Sequence, residues 1–180
     1  MARGDPQLDR TANLLGAVSL AVTDRTAAAV GGAAGQSESA AVALSALYHF
    51  LEDPSVDRLR QVLGLTPSGT VRLIDRLQDA GYVTRRHGRD ARSVSVRLTA
   101  SGRRAAERVS KARAEVLEDA LSGLAASDRR VLDEVVSRIL AGLIRGPGAT
   151  RWMCRLCDTR ACGRDEGGCP VANAARERYG

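Results

Sequence analysis

"TPSGTVRLIDRLQDAGYVTRRHGRDARSVSVRLTASG", Thr66 to Gly102, decides how this chain folds. A turn leads to a helix beginning near Pro67, which Gly81 stops. At about 100° per residue, Ser68, Arg72, Asp75, Arg76 and Asp79 share one side of that helix. Val71, Leu73, Ile74 and Leu77 share the other, so one face packs and the other is either solvated or free to read a partner. "YVTRR", Tyr82 to Arg86, has strand composition, "HGRDAR" is polar with a glycine, and "SVSVRL", Ser93 to Leu98, alternates apolar and polar residues. The pattern predicts a hairpin with an arginine-rich tip.

Working outward, Ser55 starts a short helix reaching Gly64, which with the Pro67 helix makes a helix-turn-helix. Before it, Ser37 can cap a helix through Leu51 that Pro54 ends. Further upstream, Leu8 to Val30 reads as an Ala-rich helix, interrupted by Gly31, Gly32 and Gly35. Downstream, Thr99 can cap a helix to about Leu124, and Ser127 another carrying Leu132, Val135, Val136, Ile139, Leu140 and Leu143. That last stripe is too wide for a small lobe to cover, so it is expected to pack with the N-terminal helix against a second subunit. Gly146-Pro147-Gly148 then breaks the chain.

Helix-turn-helix followed by a basic hairpin describes a winged helix. The expected fold is mainly α with a small β-hairpin wing. Residues 1–35 and 100–146 form the helical dimerisation region, 36–99 the winged lobe, and 147–180 a cysteine-rich tail. A helix of this kind fits the roughly 12 Å major groove, while arginines on a narrow tip can enter the minor groove or grip phosphate. Arg85, Arg86, Arg89 and Arg92 are candidates for that grip. The net charge of +6 agrees with a polyanionic partner, and so does an ordinary soluble surface. Because Lys111 is the only lysine, the arginine excess also matches the codon bias of a GC-rich genome.

The Thr66–Gly102 stretch resembles the MarR family of bacterial winged-helix transcription regulators. Ser68 and Thr70 open the helix, "RLIDRLQDAGYV" continues it, "RDARS" with Asp90 and Arg92 forms the wing, and "LTASG" closes it. With the flanking helices, the resemblance covers about Leu8 to Arg145. It implies a homodimer with two winged lobes on a palindromic DNA operator, usually repressing nearby genes until a small molecule or oxidant alters lobe spacing. It also implies that Ser68, Thr70, Arg72 and Arg76 face the groove, that Asp90 fixes the wing, and that Arg92 enters the minor groove; Ser68 and Thr70 can alternatively cap the helix start or donate to phosphate. Arg86 and Arg89 complete the expected DNA-binding set. The chain departs from the family at Leu59-Arg60, where a small residue commonly follows the leucine. It also lacks the N-terminal-region cysteine of the organic-peroxide-sensing branch. His49 and His87 are isolated and read as core or wing residues.

All four cysteines lie in the tail, Cys154, Cys157, Cys162 and Cys169, spaced C-x2-C-x4-C-x6-C. No basic-apolar-small leader precedes Asp5 and no run approaches the ~20 apolar residues of a membrane span, which predicts a cytoplasmic, membrane-free protein. In that compartment clustered thiols are metal ligands or redox centres more often than structural disulfides. Four thiolates complete a tetrahedral zinc site, and Gly163, Gly167 and Gly168 allow the turns it needs. The spacing is near that of a zinc knuckle, whereas Cys169-Pro170 is like a bacterial ferredoxin run, so zinc leads and an iron–sulfur cluster is the alternative. Such a centre either staples the tail or senses metal or oxidant. Arg151, Arg155, Arg160 and Arg164 would favour thiolates. Cys154-Arg-Leu-Cys157 also has oxidoreductase spacing without the usual βαβ context, so no enzyme is expected; a thiol-redox protein or a protein-docking module are the competing readings.

Overall fold

The computed structural model describes residues 5–87, 94–146, 148 and 152–180. Helix α1 spans Pro6–Ala34, α2 Glu38–His49, α3 Val56–Leu63 and α4 Pro67–Asp79. Strands β1, Val83–His87, and β2, Val94–Leu98, are followed by α5, Ala100–Leu121, α6, Ala126–Gly142, and α7, Pro170–Tyr179. This mainly helical chain with a two-stranded antiparallel wing is the expected fold class.

Local chemistry sets the boundaries. Asp5 accepts from the Gln7 amide to cap α1, and Ser37, Ser55 and Thr66 cap α2, α3 and α4 in the same way. Helix α1 runs through Gly31 and Gly32 and stops only at Gly35, whose φ of 60° supplies the left-handed turn. The expected interruption is therefore corrected, since an isolated helical glycine costs only about 1 kcal/mol and packing can override it. Helix α6 begins at Ala126 behind Ala125 with no side-chain cap, which corrects the expected Ser127 cap. By length and composition alone α1 is also long and apolar enough to cross a membrane, correcting the expectation of no such segment. Its Thr26, Val30 and Ala34 are nevertheless buried.

The core lies where α2, α3, α4, α5 and the wing converge, around Leu44, Leu59, Leu73, Ile74, Leu77, Val83, Val96 and Val109. Leu59 is fully buried, and the neighbouring Arg60 avoids the core by pairing with Asp57 at 2.8 Å. Thr99 joins the wing to α5: its hydroxyl donates to the Gly81 carbonyl at 2.7 Å and accepts from the Gly102 amide at 2.9 Å. At Gly102 a side chain is impossible, because a Cβ would overlap the Tyr82 carbonyl oxygen. Helix α1 packs mainly on α5. In contrast, α6 has no buried residue and packs chiefly on α7. A second apolar cluster gathers Ile144, Cys154, Cys169 and Val171 at that junction.

Candidate nucleic-acid interface

The geometry begins at the α4 N-terminus. Thr66 Oγ1 accepts from the Gly69 amide at 3.1 Å, and Pro67 occupies the first turn, where its missing N–H is harmless. Ser68, Arg72 and Arg76 are exposed on the outer side. Thr70 is not. It is fully buried, with its hydroxyl donating to the Thr66 carbonyl at 3.0 Å, which corrects its expected groove-facing placement. The reason is angular: Thr70 lies about 200° around the helix from Ser68, among Leu73, Ile74 and Leu77. Neither Ser68 nor Thr70 is the cap, since Thr66 has that role.

Val71 is displaced in the opposite sense. Expected on the packing side, it is 46% exposed and belongs to the outer surface. The same angular count would have found it, because Val71 falls only about 60° from Ser68. An exposed valine beside arginines can meet a thymine methyl group while the arginines meet guanine or phosphate.

The wing is held to this helix from two directions. Val83, Val96 and Leu98 turn inward, with Val83 opposite Leu98 in the antiparallel register. Arg85 reaches back to α4, donating to Asp75 at 2.6 Å and to Gln78 at 3.0 Å. It therefore positions the wing instead of remaining free for phosphate, as the basic tip had suggested. On the other edge, the Val96 amide donates to the Pro54 carbonyl at 2.9 Å, Ser55 bridges Ser95, and Arg97 pairs with Asp53 at 3.4 Å. Arg86, opposite Ser95, is exposed. The expected contacts Arg89, Asp90 and Arg92 lie outside the described residues.

The tail meets the lobe on another side. Thr159 Oγ1 donates to the His49 carbonyl at 3.1 Å, at the end of α2. The His49 ring shares a 2.6 Å hydrogen bond with Ser110 of α5 and stands 3.7 Å from Asp158. Burial holds the His49 imidazole below its ordinary pKa, partly offset by Asp158 and reinforced by Arg113 and Arg160. His49 is thus a bonded residue at the junction of lobe, α5 and tail, which its sequence isolation concealed. The four cysteines are free thiols close to one another, with Cys154 hydrogen-bonded to Cys157 and Cys162 to Cys169. Among the described residues no three His, Cys, Asp or Glu side chains form a ready metal-ligand set.

A two-helix motif with its second helix free on one face and a hairpin strapped beside it defines a winged helix-turn-helix. Residues 35–93 match the model of the MarR family. The chain is similar in fold to a MarR family protein from Bacillus stearothermophilus, with 24% identity, a TM-score of 0.65 and coverage of 77% of this chain and 96% of that one. It is likewise similar to YusO from Bacillus subtilis, at 19% identity, TM-score 0.64, and 76% and 97% coverage. A MepR mutant from S. aureus bound to an oligodeoxyribonucleotide gives 17% identity, TM-score 0.56, and 74% and 98% coverage. No curated protein sequence matches the chain. The fold is that of the solved MarR family structures.

Proposed function

We propose that this chain is a sequence-specific DNA-binding transcription regulator, a homodimeric repressor of the MarR type acting in the cytoplasm on a palindromic operator. The observation that carries the reading is the outer face of α4, where Ser68, Val71, Arg72 and Arg76 are exposed beside the wing residue Arg86. The similar fold of a MepR mutant bound to an oligodeoxyribonucleotide supports DNA as the partner. Dimerisation is supported by the apolar side chains that α1 and α6 leave uncovered, including Leu14, Val18, Val131 and Leu143, all more than half exposed. A two-fold axis would set the two α4 helices on half-sites about 34–36 Å apart. A small molecule or oxidant that changes this spacing would act as effector. The tail adds a four-cysteine metal centre, with zinc as first choice and an iron–sulfur cluster as second.

The test is selection from a pool of random-sequence DNA duplexes, followed by titration of the enriched duplex at several salt concentrations. The enriched site should be palindromic, and affinity should fall with salt by about 0.9 log units per log unit of salt for each phosphate neutralised. Arg72→Ala and Arg76→Ala should each weaken binding about tenfold or more with an unchanged circular dichroism spectrum. Failure to enrich any sequence would reject the reading.

A further inference from the structure

The loop carrying the cysteines is built to close on itself. The Cys157 amide donates to the Cys154 carbonyl at 2.9 Å, making the first tight turn. Gly163 and Gly167, at φ 58° and 79°, supply left-handed turns that a side chain would strain, and the Gly168 amide donates to Gly163 at 2.7 Å. Cys169 then caps α7, its Sγ accepting from the Ala172 amide at 3.4 Å, so this sulfur sits at the electropositive end of a helix. Cys154 and Cys169 are buried, and Cys157 and Cys162 half-buried. All four lie at one apolar cluster with Ile144 and Val171, Cys154 and Cys169 within it and Cys157 and Cys162 packed against it.

Beside them stands an unexplained cation. Arg164 Nη1 is buried with no hydrogen-bond partner among the described residues, although its guanidinium acts on Cys154, Cys157 and Cys162. A buried charged N–H without an acceptor costs more than an ordinary unmade hydrogen bond. Neutral thiols are weak acceptors and do not repay that cost. Thiolate sulfurs gathered on a cation would, because four of them around a divalent ion leave a net charge of −2 facing the guanidinium.

We propose that Cys154, Cys157, Cys162 and Cys169 bind a thiophilic metal through four thiolates, and that Arg164 donates N–H bonds to those sulfurs as their counter-charge. This deepens the metal-centre reading of the tail and is independent of the DNA-binding one. Loading exchanges the S–H···S pairs for sulfur–metal bonds, with the thiol protons released to solvent and no change of oxidation state. It also rigidifies a loop whose two sides touch different bodies. Thr159 holds the end of α2, while Cys154, Cys169 and Val171 pack with Ile144 just past α6. Trp152, the only tryptophan, lies against Gly64 in the turn before α4 and under the Arg155 guanidinium, 5.1 Å from the ring centre.

The test uses the full chain purified anaerobically, with elemental analysis, sulfide assay, intact mass and an absorption spectrum. One colourless zinc per chain, or iron and sulfide with broad absorption near about 400 nm, supports the four-thiolate centre and tells the two occupants apart. Stripping the metal should change the Trp152 emission, and readdition of the same metal should restore it. Cys157→Ser should lose the metal. Arg164→Gln, an exchange that leaves every sulfur in place, should lose it to a competing chelator about 10–100 times more readily, while Arg164→Lys should fall between. Metal below about a tenth of an atom per chain, or a mass showing two disulfides, overturns the centre. Unchanged chelator competition in Arg164→Gln overturns the place given to Arg164. Arg72→Ala should keep its full metal content, so a failure here and a failure of the DNA-binding reading are separately visible.

Discussion

Arg85 on the first wing strand and Asp75 on α4 are joined at 2.6 Å, which ties the wing to that helix. Both side chains are partly exposed, and the pair contributes no more than about 0.2–1 kcal/mol to stability. Its larger effect is on geometry. Arg85→Gln or Asp75→Asn should leave the melting temperature nearly unchanged yet weaken binding of the selected duplex several-fold, measured by fluorescence anisotropy. Equal affinity in both variants would mean that the wing is positioned by the Pro54–Val96 edge alone.

Thr70 and Ser68 should separate stability from recognition. Thr70→Ala removes a buried methyl and a hydroxyl bonded to Thr66, and should cost about 1–3 kcal/mol in urea unfolding. Ser68→Ala should stay within about 0.5 kcal/mol of the parent while lowering DNA affinity. The reverse pattern would restore Thr70 to the groove.

Leu132 and Val136 lie one helical turn apart on α6, each a little over one third exposed. Charges placed there face whatever covers the helix. Leu132→Glu combined with Val136→Glu should shift the protein from dimer to monomer in sedimentation velocity and reduce DNA affinity through loss of the second half-site. A double variant that sediments as a dimer would place the subunit interface elsewhere.

His49 carries a pH dependence of defined sign. Because its folded pKa lies below the ordinary value of 6.5, the unfolded chain takes up a proton first as pH falls. Its stabilising contribution is complete above pH 6.5 and declines as pH drops from there through the folded value. Melting curves recorded from about pH 7.5 to 5 should therefore show a smaller loss for His49→Gln than for the parent. Parallel losses would show that other groups carry the acid response.

The winged lobe was legible because its elements are announced by local chemistry. Ser37 and Ser55 before apolar runs, Gly64 and Gly81 after them, and the inward alternation of Val96 and Leu98 all correspond to what is observed, while Val94 at the start of that strand is exposed. The errors came where a residue's neighbours are distant in sequence or where a family position was carried over without its angle. Thr70 was misplaced for the second reason, and Val71 because the turn-by-turn angle was not followed through. Arg85 looked like one more cation at a basic tip, and nothing local marks its partner ten residues earlier on another element. His49 looked isolated because Ser110 and Asp158 reach it from 61 and 109 positions away. Helix α1 outran its glycines because packing against α5 compensates what local propensity disfavours.

Helix α6 buries none of its own residues within the chain, so on the dimer reading assembly is part of folding. A lone copy would leave the apolar stripe of α6, Val131, Leu132, Val135, Val136 and Ile139, in water, and the separated subunit would be closer to a folding intermediate than to a product. The melting temperature should consequently rise with protein concentration, and the cell would hold either paired subunits or chains exposed to proteolysis, with few folded single copies between. If two chains make the DNA-binding unit, the amount of active protein follows the square of its expression level when expression is low, a sharper threshold than any one operator contact could supply.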